Sequence, residues 1–261
     1  MAGRADGGGA GGVVDLGTVE DALWTAVTPA GTPVVGTGRV GDDALALVDG
    51  LDDLAPNVTA AELADPGDGW HVDDVARVVG VAPTGPPQAG GLHARAAAAL
   101  AGYAMADPGI VRGVWPAGRP LEGRRMVLEG RFGPLRFPMP VVVDTVVAGR
   151  HEVDGVPVHV DGWSYTTLEG HLERGRMDWS VWTWEDDGRV EVRIHATSTT
   201  GRPEARIVRL GLAVFGRSVQ RTFTLRAAHL LSRIAGAAGR PGRDARSAAH
   251  PGPLDDVLGL R

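Results

Sequence analysis

A series of strand-like segments between residues 110 and 198 places the strongest constraint on how this chain folds. Apolar residues in this region recur at every second position or in short runs, and glycine-containing turns separate the segments. The clearest turn, around Asp187-Gly188, predicts a β-hairpin, because glycine adopts the backbone conformation of tight hairpin turns. The predicted strands are Ile110–Val114, Arg124–Phe132, Met139–Ala148, Val156–Thr167, Asp178–Glu185 and Arg189–Ser198.

The last strand indicates how the sheet should face its surroundings. Along residues 190–197, apolar side chains alternate with charged or polar ones, which places the two kinds on opposite faces. This pattern is typical of an antiparallel sheet with one face on the core and the other in water. The predicted solvent-facing positions are Glu191, Arg193, His195 and Thr197. His159, on an earlier strand, is interpreted in the same way.

Helical segments flank the strands and suggest how the apolar face is covered. The alanine-rich segment Leu92–Ala106 predicts a helix, and a short strand, Val75–Gly80, precedes it. From Pro203 to Ile234 the apolar residues follow one flank of a long helix. The order predicts an α+β protein: a curved antiparallel sheet of about six to seven strands packed on a long C-terminal helix. This architecture is the helix-grip, or START-like, fold.

The composition excludes several kinds of chemistry. All 26 basic residues are arginine, so lysine Schiff-base catalysis is excluded, and cysteine is absent, which removes thiolate catalysis and thiolate metal ligands. The net charge of −6 predicts no nucleic-acid partner. The sequence shows neither a signal peptide nor a run long enough to span a bilayer, so we expect a cytoplasmic protein without membrane contact. The exclusive use of arginine is typical of a high-GC bacterium.

Breaks in composition suggest four segments. Residues 1–12 are glycine-rich and predict a disordered tail, and residues 13–69 predict a small or partly ordered N-terminal extension. Residues 70–235 hold the predicted START-like domain, and residues 236–261 predict a second disordered tail. Gly36–Gly41 matches the glycine spacing of a dinucleotide site, but a turn follows where a second strand is needed. We therefore predict no cofactor.

A glycine-bounded turn carries the most distinctive motif. It contains Tyr165, Thr167, Leu168, Gly170, His171, Glu173 and Gly175. With the Gly216-Arg217 segment of the last helix, this pattern resembles an uncharacterised bacterial and plant family known only as a domain of unknown function. Arg176 stands where that family more often has glutamate. The resemblance implies a START-like fold from Trp70 to about Ile234, and it implies no established reaction.

The histidine and carboxylate of this turn permit two interpretations. His171 and Glu173 could perform acid–base catalysis, with the carboxylate orienting the ring. Alternatively, the two residues could fix the turn through hydrogen bonds to its backbone. No second histidine lies at ligand spacing and cysteine is absent, so no metal site is predicted. The structural interpretation is the stronger one.

Aromatic residues concentrate on neighbouring strands and on the last helix. Trp182 and Trp184 share one strand face, and Trp179 points to the other. A cavity between sheet and helix would bind a small apolar or amphipathic molecule, and this is the leading functional hypothesis. Its predicted ligand-binding residues are Trp163, Tyr165, Trp182, Trp184, Phe215 and Phe223. The alternatives are a START-like enzyme that uses His171 and Glu173, and an interaction module with a filled core.

Overall fold

The computed structural model describes residues 23–200, 226–236 and 242–260. Within these residues, nine strands form one antiparallel sheet in the order β1-β2-β4-β5-β6-β7-β8-β9-β3. They are β1 (Trp24–Val27), β2 (Pro33–Gly36), β3 (Trp70–Val81), β4 (Val111–Pro116), β5 (Arg125–Phe132), β6 (Leu135–Val153), β7 (Val156–Thr167), β8 (Glu173–Trp184) and β9 (Arg189–Thr200). The predicted antiparallel sheet is confirmed, and it has nine strands rather than six to seven, because β1 and β2 extend it beyond β4.

The helices are short in the described part of the chain. They are α1 (Asp42–Asp49), α2 (Ala60–Ala64), α3 (Leu92–Ala101), residues 226–234 (α4) and α5 (Leu254–Val257). Two 3-10 helices cover Leu51–Asp53 and Arg246–Ala249. The long helix predicted from Pro203 to Ile234 falls mostly outside the described residues, as do Phe215 and Phe223. Residues 226–234 of that range are described and form α4. None of the described helices is long and apolar enough to cross a membrane.

Two helices pack on one side of the sheet, which we call the inner face. Leu100 of α3 and Leu231 of α4 share a core cluster with Trp163 of β7, Trp179 of β8 and Ile194 of β9. α3 ends earlier than predicted, at Ala101, because Tyr103 adopts a left-handed backbone conformation with φ of +56°. The inner face is therefore the principal core of the protein.

The opposite side, the outer face, is covered at β7–β9 by residues 242–260, which we call the strap. Leu254 of the strap is 2% exposed and packs against Val158, Val160, Trp182 and Trp184. The composition of this segment predicted a disordered tail, whereas here the strap forms a 3-10 helix and α5 on the sheet. The prediction that one side of β9 faces solvent is wrong, because Glu191 is 0% and Arg193 3% exposed beneath the strap.

Candidate functional site

The inner face carries a continuous aromatic surface. Trp163 and Tyr165 project from β7 and are buried, with ring centroids 6.0 Å apart. The indole N–H of Trp163 donates a hydrogen bond to the carbonyl of Leu100 in α3 at 3.3 Å. Trp179 of β8 is the cross-strand neighbour of Trp163, so the surface continues onto β8. Two of the predicted ligand-binding residues therefore lie together under α3.

Two buried phenols interrupt this apolar surface. Tyr103 follows α3 and places its ring centroid 6.1 Å from that of Trp163. Its hydroxyl interacts with the Tyr165 hydroxyl, which also donates a hydrogen bond to Sδ of Met177 at 3.1 Å. Burial raises the pKa of both phenols above the usual value, so both hydroxyls keep their protons. The inner face thus contains a pair of neutral polar groups among aromatic rings.

Trp182 and Trp184 lie on the outer face, on the other side of the sheet from Trp163 and Tyr165. Their ring centroids are 6.0 Å apart, and the guanidinium carbon of Arg246 lies 4.2 Å above the Trp184 ring. The strap covers both rings. The sequence pattern correctly separated these two tryptophans from Trp179, but only Trp163 and Tyr165 of the four described aromatic candidates face α3 and α4.

Buried acids beneath the strap hold its backbone. Glu191 accepts hydrogen bonds from the amides of Arg246 at 2.7 Å and Ser247 at 2.9 Å. Asp178 accepts from the amide of Leu254 at 2.8 Å, at the start of α5. These amides belong to the first turns of short helices, where backbone donors have no partner within the helix. The acids of β8 and β9 therefore act as caps for the strap.

Arg176, near the start of β8, joins the same arrangement. Its guanidinium lies 3.0 Å from the Asp178 carboxylate and 3.6 Å from that of Asp255 in the strap. The arginine thus pairs with both acids. Arg176 therefore has a structural role on the outer face.

His195 is also buried on the outer face, so its interpretation as a solvent-facing residue is wrong. The ring is bonded on both sides: Nδ1 lies 3.0 Å from Asp74 and Nε2 lies 3.0 Å from Thr197. Asp74 also accepts from Arg193 at 3.0 Å. The network connects the edge strand β3 to β9.

The glycine-bounded turn forms a tight corner between β7 and β8. Thr167 Oγ1 accepts from the amide of Gly175 at 2.9 Å and donates to Oδ1 of Asn57 at 2.6 Å. Leu168 is fully buried in the cluster under α1. Gly170 has φ of +87°, which favours glycine, and a Cβ on Gly175 would lie 2.2 Å from the carbonyl oxygen of Thr197. These hydrogen bonds, the buried leucine and the two glycines determine the backbone conformation of the corner.

His171 and Glu173 meet in this corner through the backbone. Nδ1 of His171 lies 2.9 Å from the amide nitrogen and 3.0 Å from the carbonyl oxygen of Glu173, so it accepts from the amide or donates to the carbonyl according to the tautomer of the ring. Burial lowers the pKa of the His171 ring to about 4. Burial, followed by the nearby Asp73 carboxylate, raises the pKa of Glu173. In either tautomer the backbone of Glu173 contacts Nδ1 of His171, and this geometry fits the structural interpretation.

A second polar cluster lies at the other end of the inner face, where α3 begins. His93 is 3% exposed, and its Nδ1 lies 2.7 Å from Oγ1 of Thr183. Its Nε2 lies 3.0 Å from Oδ2 of Asp161, and Nε2 of His159 lies 3.9 Å from Oδ1 of the same carboxylate. The two imidazole rings meet edge to face, with centroids 5.1 Å apart. Histidine nitrogens and carboxylate oxygens of this kind could ligate a metal ion.

This cluster is not apparent in the sequence because its members are far apart in the chain. His93 is in α3, and Asp161 and His159 are in β7, 68 and 66 residues later. One signal was present: His159 and Asp161 are two residues apart in a strand, so they share a face. The fold supplies the third residue by placing the start of α3 over that face.

The fold and its sites define an α+β protein built on one large antiparallel sheet, with an aromatic inner face and polar clusters at both ends. Residues 55–230 match the family model described as a domain of unknown function, DUF1990. The chain belongs to this family. The match begins beside Pro56 and Asn57, which contact the corner between β7 and β8.

Comparison with solved structures finds a similar chain in a crystal structure of Ara h 8.0201. The two share 10% sequence identity with a TM-score of 0.38, and the match covers 64% of this chain and 98% of that chain. A search of curated proteins finds no significant match.

Proposed function

We propose that this protein binds a small apolar or amphipathic molecule in a helix-grip (START-like) arrangement. The molecule would lie between the inner face of the sheet and the C-terminal helix predicted from Pro203 to Ile234. The observation that carries the proposal is the buried pair of phenols, Tyr103 and Tyr165, within an aromatic surface. Sites for small molecules are typically apolar walls with a few convergent polar groups. The two hydroxyls are such groups, and Trp163 supplies the adjacent apolar wall.

The backbone of Tyr103 adds independent support. A bulky residue at φ of +56° is strained, and strain of this kind costs about 1–3 kcal/mol and clusters at functional sites. The strained conformation directs the Tyr103 hydroxyl to Tyr165 instead of continuing α3. Positioning of a hydroxyl for a ligand would account for this conformation.

The enzymatic alternative has weaker support from the same geometry. A histidine with a pKa of about 4 is a poor base and a poor acid at neutral pH. Nδ1 of His171 is already in hydrogen-bond contact with the backbone of Glu173, and Glu173 belongs to the same corner. We therefore propose that these two residues serve the fold, and that the binding site is centred on Tyr165.

Native mass spectrometry of the full chain, purified from its own host, tests the proposal. We expect a co-purifying small molecule and saturable binding of the apolar dye 8-anilinonaphthalene-1-sulfonate to the emptied protein, with a melting temperature that rises as the dye binds. Tyr165→Phe removes one hydroxyl and keeps the ring, so affinity for the co-purified molecule should fall about 2–10-fold, the effect of one neutral hydrogen bond.

Trp184→Phe is the matched control, because it changes an aromatic residue of the outer face. It should leave the affinity unchanged. If neither a co-purified molecule nor saturable dye binding is found, the interior is filled and the protein is an interaction module. Equal losses in Tyr165→Phe and Trp184→Phe would also contradict a site on the inner face.

A further inference from the structure

Two histidines and one carboxylate converge where the start of α3 meets β7. One potential ligand atom from each of His93, His159 and Asp161 lies within 4.8 Å of the others. Neighbouring donors around a tetrahedral ion with bonds of about 2.0–2.1 Å are separated by about 3.3 Å. His93 Nε2 and Asp161 Oδ2 are already 3.0 Å apart. Only the half-buried ring of His159 must move closer, through rotation of its side chain.

Thr183 fixes the orientation of the most buried member. Its hydroxyl is fully buried and lies 2.7 Å from Nδ1 of His93. When Nδ1–H donates to this hydroxyl, the lone pair of Nε2 points toward Asp161 and is available to an ion. Histidine ligands of metal sites almost always have such a partner on the second nitrogen, since it sets the tautomer.

The surrounding charge favours a cation. Asp161 brings a carboxylate to the cluster, with Oδ2 3.0 Å from Nε2 of His93 and Oδ1 3.9 Å from Nε2 of His159. The guanidinium of Arg150, on the neighbouring strand, is paired with Glu185 at 3.1 Å. The negative charge of Asp161 therefore remains available.

We propose that His93, His159 and Asp161 bind one divalent transition-metal ion of the zinc class. Three protein ligands of this type leave coordination positions open, which is the pattern of metal sites that bind water or an exogenous ligand. The side chains of His159 and Asp161 are 28% and 30% exposed, so an ion can enter from solvent. This site is independent of the molecule proposed to bind near Tyr165.

Binding must shift the proton of the His93 ring. Without an ion, the contact between His93 Nε2 and Asp161 requires a hydrogen, which the ring donates while Nδ1 accepts from Thr183. With an ion on Nε2, this proton moves to Nδ1 and the Thr183 hydroxyl becomes the acceptor. The neutral ring carries one proton in both states, so His93 changes tautomer and releases no proton to solvent.

Isothermal titration of the chelator-treated full chain with Zn²⁺ at pH 7, in two buffers of different ionisation enthalpy, tests the site. We expect one equivalent bound with a Kd of about 1 µM or tighter, and little difference in binding enthalpy between the two buffers, because the His93 ring keeps its single proton. Co²⁺ should give the visible absorption of a bound low-symmetry ion. His159→Ala and Asp161→Asn change half-exposed side chains, so both should fold, and each should weaken binding more than about tenfold.

Thr183→Val tests the orientation of the His93 ring separately from the presence of the metal ligands. It keeps all three ligands and removes the partner of Nδ1, so we expect about a 10–100-fold loss of affinity. His250→Ala is the matched control, because His250 lies 3.5 Å from Asp154 in a pair with a single histidine. The control should bind Zn²⁺ as the unaltered protein does.

The proposal is overturned if Zn²⁺ does not bind saturably, or if His159→Ala and Asp161→Asn bind it unchanged. Loss of binding in His250→Ala alone would assign the ion elsewhere and also reject this site. With any of these outcomes, the role of the cluster would be limited to hydrogen bonds that hold α3 on the sheet. The Zn²⁺ titration uses no apolar ligand, so failure here is distinguishable from failure of the proposed function.

Discussion

Removal of the Glu191 carboxylate, which lies beneath the strap, should detach the strap while the sheet stays folded. In Glu191→Gln, one side-chain oxygen still accepts one amide, but the new NH₂ group faces the other amide. One of the amides of Arg246 and Ser247 is then left without an acceptor. An unsatisfied buried donor costs about 1–3 kcal/mol, and Ser247 is fully buried.

We take about 2 kcal/mol as the loss in the free energy that keeps the strap closed. This loss corresponds to about a 30-fold rise in the fraction of molecules with the strap open. Hydrogen exchange measured by mass spectrometry at pH 7 should detect this change. Peptides from residues 242–260 should exchange about 30-fold faster. Peptides from β8 and β9 should be unchanged, because the strap opens locally without unfolding the sheet.

The amide of Leu254 gives a site-specific measurement, since its hydrogen bond to Asp178 forms only when the strap is closed. Glu152→Gln, at an exposed position of β6, is the control and should leave all exchange rates unchanged. Equal acceleration in β9 and the strap would show that Glu191 supports the sheet itself. No acceleration at all would refute the assignment of Glu191 as the cap of the strap.

Two further predictions concern the corner between β7 and β8. Gly175→Ala places a methyl group 2.2 Å from a backbone oxygen of β9, so we expect a loss of about 3 kcal/mol or more in urea denaturation, whereas Gly67→Ala, with open space around it, should change stability little. His171, with a folded-state pKa of about 4, binds fewer protons than the unfolded chain between pH 6.5 and 4, so its contribution to stability is lost as pH falls through this window. Between pH 7 and 5 the pKa shift of His171 would lower the free energy of unfolding by about 2 kcal/mol. Partial exposure of the ring reduces this loss to about 1 kcal/mol. His171→Gln should remove this part of the pH dependence; an unchanged slope would contradict the assigned pKa.

The sequence predicted local structure well wherever a single strand or turn determined it. β7 has the predicted bounds, Val156–Thr167, because a glycine turn and an alternating pattern mark them. The hairpin at Gly188 is confirmed, with φ of +71° at the glycine. These features depend on neighbours in the chain, and a sequence displays such neighbours directly.

Features that depend on packing were predicted poorly. A polar face looks the same in a sequence whether water or a strap covers it, so the burial of Glu191 and His195 was missed. The pattern separated Trp182 from Trp179 but could not assign either to α3, because periodicity gives relative and not absolute orientation. His93 joined Asp161 only through the position of α3 on the sheet.

The pairing of β3 with β9 has a consequence for synthesis on the ribosome. β3 ends at Val81 and its partner begins at Arg189, about 108 residues later, so translation at about 5–20 residues per second separates them by roughly 5–20 seconds. During this interval β3 is a nascent strand without its final neighbour. Its charged residues Asp73, Asp74 and Arg77 discourage pairing with other nascent chains. The same Asp74 later bonds His195, so one carboxylate protects the strand before folding and fastens it afterwards.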